Sequence, residues 1–117
     1  MSYRSIHRHA RISPRKVRPL ADMVRGKLAN DALAILKFQP QRGARMLEKV
    51  IRAALGSAQD PDNPQNKGRH VDLESLYVSE ARVDGGPMFK RIRPRARGMA
   101  HVIRKRMSHI HVTLEEA

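Results

Sequence analysis

Cysteine and tryptophan are absent from this chain of 117 residues, and aromatic residues make up only 3% of it. Without cysteine the chain has no disulfide framework, no thiol nucleophile and no cysteine-based zinc site. The shortage of aromatic rings argues against base stacking as the main mode of binding a partner.

Long apolar runs are missing as well. The first eight residues contain no apolar signal segment, and no run anywhere in the chain is long enough to span a bilayer. We therefore expect a cytoplasmic protein that does not insert into a membrane.

Acidic residues are scarce, with 11 Asp and Glu against 24 Lys and Arg, which gives a formal net charge of +13. This excess is larger than solubility requires, and it implies a polyanionic partner: RNA, DNA or an acidic membrane surface. Seven of the basic residues are lysine and 17 are arginine. The arginine bias favours a nucleic acid, because a guanidinium group can bind a phosphate in two places at once. A membrane surface is the weaker alternative, since the basic N-terminal segment lacks a large apolar face opposite its charges.

A first helix is predicted after residue 13. Ser13 suits the cap position and Pro14 the first helical position, and Gly26 is a natural residue to follow the last turn. Pro19 lies beyond the first turn, so it predicts a kink or a locally broken hydrogen bond.

Two further helices are predicted, over residues 31–38 and 41–59. Asn30 is expected to cap the shorter one, and Pro40 separates the two. The longer helix has the clearest periodic signal in the chain, an apolar stripe formed by Leu47, Val50, Ile51, Ala54, Leu55 and Ala58. Residues 60–68 carry the turn signals of a loop.

Strands are predicted over residues 3–12, 71–84 and 99–114. Ile110, Val112 and Leu114 alternate with polar residues, which indicates a strand with one covered face. The predicted fold class is α+β, with three helices packed on a small three-stranded antiparallel sheet and a long protruding β-hairpin. We expect one domain over residues 1–117, with 79–106 as the extended hairpin.

Residues 85–98 join the last two strands and are predicted to form the long basic tip of that hairpin. Gly85, Gly86 and Gly98 give the backbone freedom that a departure from the ladder needs, and two prolines stiffen the segment. No carboxylate accompanies its five cations, which are Lys90, Arg91, Arg93, Arg95 and Arg97. A two-stranded ribbon about 30 Å long is barely stable alone, and a tip of like charges repels itself. The segment therefore predicts a polyanionic binding partner.

Metal binding and catalysis are the alternatives to weigh. Two pairs of histidines lie two residues apart, His7 with His9 and His109 with His111, but a metal site needs three or four converging ligands. No metal or other cofactor is expected. Glu80 and Asp84 fit better as ion partners of Arg82 than as general acids, and no phosphate-binding glycine loop or nucleophile motif is present. A free-standing nucleic-acid-binding regulator or a nuclease is the competing hypothesis, although a nuclease would need clustered carboxylates.

Four runs of sequence together resemble a known family. They are RHARISPRKVR at residues 8–18, ADMVRG at 21–26, VDGGPMFKRIRPRARG at 83–98 and KRMSHI at 105–110. In this order they are similar to the bacterial-type large-subunit ribosomal protein twenty-two family. The resemblance covers almost the whole chain.

The resemblance implies a structural ribosomal protein rather than an enzyme. Its body would lie on the solvent side of the large subunit, near the mouth of the nascent-peptide exit tunnel, and its hairpin would pass inward through large-subunit rRNA. It would help subunit assembly as a monomer within the ribosome, beside neighbouring large-subunit proteins, and would touch the nascent peptide transiently.

Two sets of site residues follow. Those expected to contact rRNA are Arg8, Arg11, Arg15, Lys16, Arg18, Arg82, Lys90, Arg91, Arg93, Arg95, Arg97, Arg104, Lys105 and Arg106. Those expected from the family motif to line the tunnel are Phe89, Lys90, Arg91, Ile92, Arg93, Pro94, Arg95, Ala96 and Arg97.

Overall fold

The chain forms one strand, then three helices, then two long strands. This architecture is seen in a computed structural model that describes residues 2–66 and 71–116. In order, the elements are β1 (Ser2–Ala10), α1 (Pro14–Val24), α2 (Ala29–Lys37), α3 (Arg42–Gln59), β2 (Leu76–Pro94) and β3 (Ala100–Glu116). Short 3-10 turns lie at Pro64–Asn66, Leu73–Ser75 and Ala96–Gly98. The predicted fold class is confirmed. Residues 67 and 68 of the predicted loop lie outside the described residues.

β3 is the central strand of the sheet and runs antiparallel to both of its neighbours, in the order β1-β3-β2. Its pairing with β1 runs from Ser2 opposite Glu115 to Ala10 opposite Ser108. Within the described strands, the residues of β3 before Ser108 pair with β2 alone, as far as Pro94 opposite Ala100. The molecule is consequently elongated, measuring 68 Å in its longest dimension against 28 and 16 Å in the others.

The hydrophobic core lies between the three-stranded part of this sheet and the helices. Ile110, Val112 and Leu114 are completely buried, which confirms the face predicted from their alternation. The predicted stripe of α3 is buried too, apart from Leu55, which is partly exposed. These two surfaces pack together because each is apolar on one side only, and neither can be shielded from water alone.

α1 begins and ends where its sequence predicts. Pro14 is its first residue, and Gly26 follows its last turn with φ +83°, a left-handed conformation that favours glycine. Gly26 N–H donates to the carbonyl of Val78 at 2.8 Å, which ties this end of the helix to the outer edge of β2. Pro19 lies inside the helix without ending it. Because proline has no backbone N–H, the helix lacks the hydrogen bond that this position would otherwise donate.

The predicted cap of α2 is wrong by two residues. Leu28, rather than Asn30, is the extended residue that precedes the helix, and its carbonyl accepts from Ala32 N–H at 2.8 Å. Leu28 also forms an isolated bridge with Tyr77 at the start of β2. This pairing fixes Leu28 in an extended conformation, so the helix begins directly after it, whatever the capping preference of Asn30.

The limits predicted for β2 are also wrong, whereas β3 lies within two residues of its predicted limits. β2 begins at Leu76 rather than at residue 71, because residues 73–75 form a 3-10 turn capped by the side chain of Asp72. Most of residues 85–98, which were predicted to form the tip that joins the two strands, belongs to strand β2. The register shifts between Gly85 and Met88, and the ladder then continues to Pro94, so the glycines and Pro87 mark a bulge rather than the end of pairing. We call the paired segments 88–94 and 100–106 the distal ladder.

Ala54→Asp is expected to prevent folding. Ala54 is fully buried on α3, and a carboxylate there would lie unpaired in apolar surroundings. The penalty of several kcal/mol is comparable with the whole stability of a small domain, roughly 5–15 kcal/mol. Circular dichroism during chemical unfolding measures the change.

Ala53→Asp is the matched control, since Ala53 is the exposed neighbour on the same helix. It should stay within about 0.5 kcal/mol of the parent, as surface substitutions usually do. Equal stability of the two variants would contradict the packing described for α3.

Candidate nucleic-acid interface

A basic groove of about 1190 Å³ separates the distal ladder from the start of α1 and α3. Eight cations line it, and no carboxylate is found among the described residues of its lining. The cations are Arg11, Arg15, Lys16, Arg42, Arg91, Arg104, Lys105 and Arg106. Low-dielectric walls lined with one sign of charge concentrate the electrostatic potential, so the groove favours a polyanion.

Two helices begin at the groove, and this adds to its positive potential. Ser13 and Gln41 precede α1 and α3, and neither side chain makes a capping hydrogen bond. Neither helix has an acidic residue in its first turn. Helix N-termini carry partial positive charge and unpaired N–H groups, which suit phosphate oxygens.

Close packing of α3 on α1 brings these two helix starts together. Gly43 is buried, and a Cβ at this position would lie only 3.2 Å from Leu20 Cδ1 and 3.3 Å from Ile12 Cδ1 and from Val17 Cγ2. Glycine is therefore the residue that fits here, in spite of its poor helix propensity.

Arg42 is a lining residue that sequence reasoning missed. Its guanidinium donates to the carbonyl of Arg11, which fastens the start of α3 to the turn after β1. The signal in the sequence was Arg42 next to Gly43, a small residue at which two helices can approach closely.

Of the 14 residues predicted to contact rRNA, the structure brings seven together in the groove. They are Arg11, Arg15, Lys16, Arg91, Arg104, Lys105 and Arg106. Arg93, Arg95 and Arg97 are exposed farther along the hairpin. Lys90 is exposed between two lining residues, Phe89 and Arg91, and Arg8 is exposed on β1. Arg18 and Arg82 are engaged within the protein.

The residues predicted to line the tunnel are spread along the hairpin. Arg95 and Ala96 lie in the turn between β2 and β3, and Arg97 adopts φ +64° there. Phe89 pairs with Lys105 in the distal ladder and also lines the groove. The guanidinium carbon of Arg91 lies 5.2 Å from the centre of the Phe89 ring, within the range of a cation–π contact.

Arg82 is balanced by acidic neighbours. It pairs with Glu80 at 3.3 Å and with Asp84 at 3.2 Å, which confirms the ion pairs predicted for these carboxylates. Asp84 also lies 3.3 Å from His111 Nε2. Burial lowers the pKa of His111 below its ordinary 6.5, as does the charge of Arg82, while Asp84 and Glu80 oppose that shift. His111 is therefore mostly neutral at pH 7, and this cluster carries less positive charge than the groove.

The histidines meet across strands rather than along one. His9 N–H donates to His109 Nδ1 at 3.1 Å, and the two rings make an edge-on contact with centroids 5.0 Å apart. Over residues 2–66 and 71–116, no group of three or more His, Cys, Asp and Glu side chains is arranged to hold a metal ion. Within the same ranges, no helix is sufficiently long and apolar to cross a bilayer.

Arg18 and Arg25 show a structural use of arginine. Arg18 Nε donates to the carbonyl of Val83 at 3.2 Å, and Arg25 Nη2 donates to the carbonyl of Ala81 at 2.6 Å. Arg18 lies on α1 and Arg25 directly follows it, and both extend to carbonyls of β2. β2 is an edge strand of the sheet and would otherwise be open to pairing with another strand.

The sequence of this chain matches a known family of proteins. The family model described as ribosomal protein L22p/L17e matches residues 5–115. The large ribosomal subunit protein uL22 of Rhodopirellula baltica is 62% identical over 112 residues, covering 96% of this chain and 92% of that protein. The protein of the same name from Caldicellulosiruptor saccharolyticus is 50% identical over 109 residues, covering 93% and 84%. That of Maridesulfovibrio salexigens is 49% identical over 116 residues, covering 99% of both chains.

These matches extend over the four runs on which the family resemblance was based, so the resemblance is confirmed. They also decide between the competing hypotheses, because the family consists of ribosomal proteins and not of nucleases or free regulators. The chain belongs to the ribosomal protein L22p/L17e family, and it is a structural protein of the ribosome rather than an enzyme.

Proposed function

We propose that this chain is a component of the large ribosomal subunit that binds large-subunit rRNA with its groove and distal ladder. The observation that carries the proposal is the groove itself, in which eight cations converge from the start of α1, the start of α3 and the hairpin, with no carboxylate among the lining residues that the structure describes. Relatives that match along nearly the whole chain are named as large ribosomal subunit proteins. The protein would act in the cytoplasm as a monomer within the ribosome, in contact with neighbouring proteins of the subunit.

The mechanism is charge neutralisation combined with fixed spacing. Guanidinium groups bind phosphates, while the sheet and helices hold these groups at set distances, so RNA segments that meet in the groove are clamped together. A-form RNA offers little sequence information to side chains in its deep major groove, so backbone contacts and shape dominate recognition. Clamping of separate RNA segments would support subunit assembly.

The far end of the hairpin is proposed to form part of the wall of the nascent-peptide exit tunnel. Support comes from the family and from the reach of the ladder. The seven residues of 88–94 extend about 23 Å at 3.3 Å per residue, beyond the last pairing with β1. In this proposal residues 1–117 form one domain, residues 79–106 are its extended hairpin, and residues 89–97 are the tunnel-lining segment. Phe89 and Arg91 would contribute mainly to the groove, and the residues near the turn to the wall.

Removal of groove charges should weaken RNA binding and flatten its salt dependence. In Arg15→Gln/Lys16→Gln, two exposed cations are lost from the groove. The parent should bind deproteinised large-subunit rRNA with a log–log salt slope of about −0.7 to −0.9 per phosphate neutralised. The double variant should bind more weakly, with a slope smaller in magnitude by roughly one unit per residue.

Lys27→Gln/Lys49→Gln is the control, because it removes the same charge from exposed residues that do not line the groove. It should keep a slope close to that of the parent. If both double variants change the slope equally, binding depends on net charge and not on the groove.

The tunnel proposal is tested by shortening the hairpin without disturbing its register. Replacement of residues 93–101 by Asn-Gly leaves Ile92 opposite Val102, the positions that flank a two-residue turn. The shortened protein should still enter large subunits, because the groove is intact. Stalling on tunnel-sensing peptides should change, because the end of the hairpin no longer reaches the wall.

The control here is Arg93→Gln/Arg95→Gln/Arg97→Gln, which loses the same arginines at full length. It should stall like the parent if reach determines the effect. Normal stalling with the shortened hairpin over a broad set of peptides would remove the hairpin end from the tunnel wall, and failure to enter subunits would show that it serves for anchoring.

A further inference from the structure

Phe38 is the most exposed of the large apolar side chains in the described residues. It follows directly after α2, and 83% of its surface is accessible. The other phenylalanine of the chain, Phe89, is 49% exposed and carries Arg91 beside its ring. A phenyl ring that stays in water does not contribute the favourable free energy that burial of an aromatic side chain normally provides.

The backbone around Phe38 is held firmly. Phe38 N–H donates to the carbonyl of Ile35 at 3.3 Å. The guanidinium of Arg45 on α3 donates to the carbonyls of Leu36 at 3.2 Å, Lys37 at 3.1 Å and Gln39 at 2.6 Å. Residues on both sides of Phe38 are thereby fixed to α3.

Arg45 is itself anchored. It pairs with Glu48, whose side chain is only 9% exposed and which also lies 3.8 Å from Arg52. The buried carboxylate of Glu48 thus orients the guanidinium of Arg45, and Arg45 in turn fixes the end of α2. The ring is presented to solvent on a rigid support, which reduces the entropy lost when it contacts a partner.

The surroundings of Phe38 are basic. Lys37 is exposed immediately before it, and Arg42 lines the groove four residues after it. Gln41, which also lines the groove, lies three residues away, so its Cα is within about 11 Å of that of Phe38. On α2, Asp31 lies at the opposite end, about 10 Å along the helix axis. A single ring among cations suits a nucleic acid better than the apolar surface of a protein, which would require a wider patch.

We infer that Phe38 stacks on an unpaired base of the RNA strand that leaves the groove beside Arg42. The inference rests on the proposed RNA-binding function and adds to it a contact with a base rather than with the phosphate backbone. Any base can be accepted, because each has a π-face. Stacking requires a single-stranded nucleotide such as one in a loop or a bulge.

Phe38→Leu tests the inference with deproteinised large-subunit rRNA as the probe. The variant keeps an apolar side chain but loses the ring, so its affinity should fall by roughly 5- to 150-fold. The loss should be the same at every salt concentration, because no phosphate contact is removed. Arg42→Gln should instead flatten the salt slope. A change in slope with Phe38→Leu would indicate a general disturbance of the groove and would contradict stacking.

Two aromatic variants complete the test. Phe38→Tyr should bind as tightly as the parent. Phe38→Trp introduces the one tryptophan of the chain, and its fluorescence should be quenched when rRNA is added. Binding of Phe38→Leu equal to that of the parent, or an unquenched tryptophan in bound protein, would overturn the inference.

The remaining outcomes separate this inference from the function on which it rests. If Phe38→Leu binds free rRNA normally but is lost more readily from whole subunits, the ring contacts a neighbouring protein and the inference is wrong. If the parent itself shows no salt-dependent binding to rRNA, then the RNA-binding proposal fails first, and the stacking inference fails with it.

Discussion

The distal ladder crowds positive charges onto a two-stranded ribbon, and this repulsion is the constraint that the hairpin depends on the rest of the molecule to offset. Lys90 lies directly opposite Arg104, with further cations on both strands, and like charges in opposed positions destabilise a sheet. No core compensates, because Ile92 and Val102 are paired but remain 73% and 54% exposed. The ladder is continuous with a sheet whose other half is buried, so the body supplies the stability that the ribbon lacks. In our account, a polyanion supplies the rest.

Several arginines stabilise the fold itself and are not free to bind a partner. Arg18 and Arg25 cover carbonyls of an edge strand, and Arg45 holds the end of α2 through three carbonyls. Arginine suits this work because its donors lie in a fixed fork and its charge is weakly hydrated. Net charge therefore overstates the number of cations that are available to a polyanion, and position decides which arginines are available. Those at the groove are exposed beside the N-termini of two helices, and of the described ones Arg42 also donates to the carbonyl of Arg11.

Local patterns were sufficient for much of the fold. Pro14 and Gly26 mark the ends of α1, and the stripe from Leu47 to Ala58 determines which face of α3 is buried. Prediction failed where a distant contact overrides local preference. The bridge between Leu28 and Tyr77 starts α2 early, and pairing with β3 carries β2 through glycines and a proline that normally end a strand. The groove was beyond sequence reasoning for the same reason, because Arg11 and Lys105 share a lining only after the hairpin and helices are placed.

In the proposed function a polyanion completes the order of the distal ladder, and amide hydrogen exchange tests this dependence most directly. In the free protein, amides of residues 88–94 and 100–106 should exchange quickly, because an isolated two-stranded ribbon is marginal in water. Amides of residues 47–58 in α3 and 110–114 in β3 should be protected. Addition of deproteinised large-subunit rRNA should slow exchange in the distal ladder. Equal protection of the distal ladder and α3 in the free protein would show that the hairpin supports itself and would contradict the account.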